Sequence, residues 1–281
     1  MNRVVLAPGV VCTRLGFGCA PILGSVDAAT ADRAIGVALD EGIGHFDTAP
    51  SYGYGEGEAF LGRRLVRHRD RVTIATKFGI RARPLATLAR PIKGLVRQML
   101  KSRTSRRDPG GPAPRVRANR VSSLLHERVE LTGPAMRASL ERSLRALRTD
   151  YVDILLLHEP DRGVSGGTDL RETACRMLEE GKIRAFGVAT PFDRLSQVSE
   201  FLTESDILQV DLPHRDAVDP FRDRPSIRFS VMRSDETASP KEALAVALSR
   251  YPKSVLLVSM FTVEHIRANA QVVRSWTGTG R

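Results

Sequence analysis

Four side chains with complementary acid–base chemistry stand at the ends of apolar runs: Asp47, Tyr52, Lys77 and His158. Asp47 and Tyr52 lie five residues apart in His45-Phe46-Asp47-Thr48-Ala49-Pro50-Ser51-Tyr52-Gly53, where a strand-like run passes into a loop. Lys77 closes Val72-Thr73-Ile74-Ala75-Thr76-Lys77, and His158 closes Leu155-Leu156-Leu157-His158. A phenol with a pKa of about 10 is a weak acid at neutral pH. A neighbouring ammonium favours the phenolate and should lower that value. A carboxylate paired to the ammonium keeps it charged and fixed. A histidine beside the phenol can hydrogen-bond a substrate oxygen or relay a proton. Such a group can protonate a developing alkoxide or take the proton of an alcohol. With a hydride source it interconverts carbonyl and alcohol. Without one, it could serve a cofactor-independent, redox-neutral dehydratase, isomerase, lyase or cyclase. Taken singly, each residue has a structural reading as turn, packing, solvated or core residue. Their joint position at the ends of apolar runs is what points to a shared pocket.

The fold that gathers strand ends into one pocket is the (β/α)₈ TIM barrel, an α/β architecture with its chemistry on the C-terminal face of the strands. Strand patterns fall at 15–19, 43–47, 72–77, 152–157, 185–189, 207–210, 227–231 and 255–258. Helical patterns fall at 28–41, 58–67, 134–147, 170–180, 193–202, 240–250 and 263–273. Their alternation predicts a parallel sheet with right-handed crossovers. The polar, proline-bounded stretch 214–225 should hold a helical turn or two at most. Residues 3–6 and 10–14 flank Pro8-Gly9 and predict an N-terminal β-hairpin. The whole chain, 1–281, reads as one barrel domain, within the usual size of such barrels.

At this point the chain resembles the aldo-keto reductases. The pattern Asp-Thr-Ala-x-x-Tyr-Gly stands at 47–53 and continues through Gly55, Glu58, Leu61 and Gly62. The resemblance covers about residues 3–80 and 130–275. It implies that Tyr52 is the general acid, Lys77 the cation that tunes it, Asp47 the partner of Lys77, and His158 the orienter or proton relay. It also implies NADP(H) lying across the barrel mouth, with NAD(H) or no cofactor as alternatives. Gly18, Cys19 and Ala20 match the contacts after the first strand, Thr190 the strand-five hydroxyl, and Gln209 the carboxamide contact. Phe229 would stack on the nicotinamide and Ser230 follows it. At the 2′-phosphate site only Asn269 matches, with Arg267 as a substitute in a shifted register. The Gly53-Tyr54-Gly55-Glu56-Gly57 run lacks the spacing of a dinucleotide-binding glycine loop.

The chain has 42% apolar residues and a net charge of +11. That charge is local: residues 81–128 hold 13 Lys/Arg and two acids, and the rest is neutral. Residues 81–130 therefore read as a basic insertion after the third barrel strand, emerging on the active-site face. Leu88, Ile92, Leu95, Val96, Met99 and Leu100 follow helical spacing there, and 108–114 reads as a flexible Pro/Gly tip. A solvated loop is one explanation. Steering of an anionic or carrier-bound small-molecule substrate is another. A nucleic-acid partner is not expected. Neither an apolar stretch of about 20 residues nor a signal peptide is visible. The three scattered cysteines, Cys12, Cys19 and Cys175, predict a reducing, cytoplasmic setting and no structural zinc. No metal site is expected.

Overall fold

A computed structural model describes residues 1–83, 125–160, 167–198, 201–203, 206–214, 217–233 and 239–277. Strands β1 (Arg3–Ala7) and β2 (Val10–Thr13) form an antiparallel hairpin turned at Gly9, φ +75°. Eight parallel strands then close a barrel. In chain order they are β3 (Leu15–Gly18), β4 (His45–Asp47), β5 (Thr73–Phe78), β8 (Val152–His158), β9 (Ile183–Thr190), β10 (Ile207–Asp211), β11 (Ser226–Phe229) and β12 (Ser254–Val258). Strand β12 pairs with β3 to shut the cylinder. A short antiparallel pair, β6 (Ile80–Ala82) and β7 (His126–Arg128), leaves the barrel directly after β5.

Two apolar clusters follow from the alternation of side chains along each strand. One fills the barrel, with Ala75, Ile154, Leu156, Ile207, Ile227 and Val255 stacked over Leu6, Val10 and Cys12 of the hairpin. The hairpin therefore plugs one end and leaves chemistry to the other. The second cluster joins the outer faces of the strands to the helices. Helix α1 (Ala28–Asp40) starts where the Asp27 side chain accepts from Thr30 N at 2.9 Å, and turns Ala31, Ala34, Ile35 and Ala38 inward. It ends before Gly42, φ +74°. Helix α2 (Gly57–Leu65) packs on α3 (Gly133–Leu147), which begins at a Thr132 cap with a proline in its first turn. Helices α4 (Gly167–Glu179), α5 (Pro240–Arg250) and α6 (Val263–Ser275) complete the layer.

Two expectations change. The helix predicted at 193–202 is a 3₁₀ turn, Phe192–Gln197. Its apolar residues Leu195, Val198 and Phe201 repeat every three positions, which suits three residues per turn. The strand predicted to reach Val231 stops at Phe229, because Ser230 takes φ +61° and turns the chain into a 3₁₀ segment, Val231–Arg233. The described part of 214–225 forms bends and turns. The helical pattern from Leu88 to Leu100 and the tip at 108–114 lie outside the described residues.

Candidate active site

Strands β4, β5 and β8 are hydrogen-bonded neighbours, so their C-terminal ends meet on one side of the barrel. Asp47 ends β4, Lys77 is one residue from the end of β5, and His158 ends β8. Tyr52 arrives from a loop: the 3₁₀ turn Tyr52–Gly55 reverses through Gly53 (φ +59°) and Tyr54 (φ +57°). Gly53 is required there, since a Cβ would fall 2.7 Å from Ile22 O. The β6–β7 pair braces the same turn, with the His126 ring 3.1 Å from the Ser51 carbonyl.

The Lys77 ammonium donates to both Asp47 carboxylate oxygens at 2.7 Å, to Thr48 O at 3.0 Å and to the Tyr52 hydroxyl at 3.2 Å. Asp47 and Lys77 are 2% and 3% exposed. Burial pulls the Lys77 pKa down, but Asp47 and then Tyr52 push it up, and the net direction is up. The ammonium is therefore charged at neutral pH. The tyrosine corrects an expectation. Burial pushes the phenol above its ordinary value, and Lys77 only offsets part of that rise. Tyr52 is thus a protonated acid across the neutral range, with its conjugate base stabilised by the adjacent cation. His158 is driven well below its ordinary pKa, first by burial and then by Lys77, Arg128 and His126. It is neutral, and its ring stands edge-on to Tyr52 with centroids 6.2 Å apart.

These four residues line one cavity of about 380 Å³ together with Gly18, Ala20, Thr190, Gln209, Phe229 and Ser230. Ten of the twelve expected site residues therefore converge. Cys19 does not line it: its thiol is buried and directed to Phe17 O, while its main-chain N–H donates to Asp47 O at 2.9 Å. Asn269 does not either. It sits on the inner stripe of α6 with Ile266, Ala270 and Val273, 6% exposed, its amide 3.6 Å from Met260 Sδ. Helical spacing, which points it inward, overrules the expected phosphate contact. The substitute cation Arg267 does not line the cavity and lies 3.4 Å from Glu41. The nicotinamide end fits better. Gly18 leaves room where a Cβ would lie 2.8 Å from Ser259 Oγ, and Gln209, Thr190 and the Phe229 ring supply polar and flat surfaces.

Sequence reasoning missed several lining residues, among them Glu159, Pro191, Met232 and Ser259. The signal for Glu159 was its place directly after His158. A second link was also missed: Gln209 Nε2 donates to Asp47 Oδ1 at 2.8 Å, so Asp47 holds two partners.

Comparison with known proteins bears on the family and the fold. A family profile described as the Aldo/keto reductase family matches residues 14–214. The chain is 30% identical over 190 residues to the aldo-keto reductase YhdN of Bacillus subtilis, covering 64% of this chain and 44% of that protein. It is 31% identical over 204 residues to a D-threo-aldose 1-dehydrogenase from Pseudomonas sp, covering 71% and 54%. The chain spans about half the length of these curated relatives. A solved aldo-keto reductase from Klebsiella pneumoniae in complex with NADPH superposes with a TM-score of 0.65 at 18% identity, over 97% of this chain and 89% of that one. At that identity the likeness is one of fold.

Proposed function

The chain belongs to the aldo/keto reductase family, and from that premise we propose that it interconverts a carbonyl and an alcohol on a small-molecule substrate with a nicotinamide cofactor. The observation that carries this reading is the Lys77 ammonium, held by both Asp47 oxygens at 2.7 Å and 3.2 Å from the Tyr52 hydroxyl. The cofactor supplies a hydride when bound. Tyr52 gives its proton to the carbonyl oxygen as negative charge develops there, and Lys77 stabilises the phenolate that remains. Neutral His158 donates a hydrogen bond to the same oxygen and orients the carbonyl. In the alcohol direction the proton returns to Tyr52.

Gly18, Ala20, Thr190, Gln209, Phe229 and Ser230 would hold the nicotinamide, while the main-chain N–H of Cys19 ties the end of β3 to Asp47 O. NADP(H) is the first proposal, supported by the NADPH complex of the Klebsiella relative. NAD(H) is the second, favoured by the inward turn of Asn269. The redox-neutral alternative finds no support in the relatives, which are named as a reductase and a dehydrogenase. An anionic or carrier-bound substrate is a narrower proposal resting on the basic residues of 81–128, of which 84–124 lie outside the described residues. A cytoplasmic setting is proposed from the three free cysteines.

Calorimetric titration of the protein with NADPH, and with NADH in parallel, tests the reading. Micromolar binding of either supports it. A folded protein that binds neither removes it.

A further inference from the structure

Glu159 is held with unusual care for a residue just past a strand end. Its backbone takes φ +47° although it is neither glycine nor asparagine and precedes Pro160. Side chains are rarely found in that left-handed region, and residues that occupy it cluster where a site dictates the backbone. Its N–H donates to Ala189 O at 2.7 Å, and its carbonyl accepts from Arg128 at 2.8 Å. Ser230, the first residue past β11, lines the same cavity with φ +61°. Positive-φ residues after β8 and after β11 therefore both contribute to the cavity wall.

Glu159 and Asp47 are the two acids among the described residues lining this cavity. Asp47 is committed to Lys77 and Gln209. Among the described residues, Glu159 makes a loose ion pair with Arg194 Nη1 at 3.6 Å, the Arg194 and Glu159 side chains being 46% and 37% exposed. Exposed pairs of that kind contribute little and exchange readily. Glu159, the residue after His158, lines the cavity and has a part-exposed side chain, so its carboxylate is placed to accept hydrogen bonds from a ligand there.

We propose that Glu159 is a specificity-determining residue that selects carbonyl substrates bearing hydroxyl groups near the carbonyl and disfavours those bearing a carboxylate there. A hydroxyl can donate to the carboxylate in a charge-assisted bond. A substrate carboxylate in the same place meets like charge across a partly desolvated wall. Negative charge on a substrate, if present, belongs outside the cavity on this account. The inference rests on the reductase reading of the same site.

The test compares kcat/KM for three small aldehydes: glyceraldehyde, propanal and succinic semialdehyde. Each is measured with the wild-type protein, Glu159→Gln and Glu159→Ala, with circular dichroism confirming that the variants fold. The wild type should prefer glyceraldehyde to propanal. Glu159→Ala should reduce that preference by about ten- to a hundredfold, the scale of one charge-assisted hydrogen bond. Glu159→Gln removes the charge and keeps the size, and should raise the ratio of succinic semialdehyde to propanal by about tenfold or more. Unchanged ratios in both variants, on a protein that reduces propanal, overturn the inference and leave the reductase reading intact. A wild-type protein that binds no nicotinamide and turns over none of the three removes both.

Discussion

Both carboxylate oxygens of Asp47 lie 2.7 Å from the Lys77 ammonium, with each side chain almost wholly buried. Removing one partner of such a pair strands the other charge in a low-dielectric wall. Asp47→Ala should therefore destabilise the fold by about 3–5 kcal/mol. Asp47→Asn keeps the shape and the Gln209 contact, and should cost less stability while still lowering kcat. Chemical denaturation beside steady-state kinetics separates the two. Equal stability of Asp47→Ala and the wild type would mean that the pair is not closed in solution.

Gly53 carries the turn that delivers Tyr52. Its φ of +59° and the 2.7 Å approach of Ile22 O leave no place for a Cβ. Gly53→Ala should cost on the order of 1–3 kcal/mol and shift the phenol away from Lys77, so that kcat falls more than KM changes. Thermal melting and kinetics on the one variant check both effects.

His45 lies inside the barrel two residues before Asp47, its ring 2.9 Å from Thr73 Oγ1. Burial lowers its pKa from 6.5 to about 4, against the pull of Asp47 and Asp153. The unfolded chain takes up this proton first, so acid favours unfolding. The contribution of neutral His45 is complete above about pH 6.5 and is lost as pH falls toward 4. The loss amounts to about 3 kcal/mol at the lower end. His158, also depressed by burial, acts in the same direction. His45→Asn should flatten this part of the stability–pH curve, as read by urea midpoints at pH 7, 6, 5 and about 4. A curve as steep as that of the wild type would exclude His45 as a source.

The pKa of Tyr52 lies above its ordinary value, so it should not titrate during reduction at neutral pH. The reductive kcat/KM is expected to stay level from about pH 6 to 9. A basic limb with a midpoint near neutrality would show that Lys77 overcomes burial after all.

Much of this was legible in the residues because the strongest signals were local. Asp47, Lys77 and His158 each close an apolar strand, and an eight-stranded barrel has one place to gather such ends. The hairpin was readable from Pro8-Gly9 and the strand patterns on either side. What was not legible depended on tertiary context. Whether burial or Lys77 wins at Tyr52 depends on how deep the phenol sits. Asn269 matched by register, yet α6 needs that position for its inner face. Glu159 was not legible as a pocket residue because its left-handed backbone is framed by contacts with Ala189 and Arg128, both distant in sequence. The short helix at 193–202 became a 3₁₀ turn because a period of three and a period of 3.6 differ little over two turns.

The most direct test of the central claim is NADPH-dependent reduction of an aldehyde by the wild-type protein and by Tyr52→Phe, after both have been shown to bind NADPH. Tyr52→Phe should keep the fold and the cofactor affinity while turnover falls by about 10²–10⁴-fold, the scale of a lost general acid. A Tyr52→Phe protein that reduces the aldehyde at the wild-type rate would contradict the account.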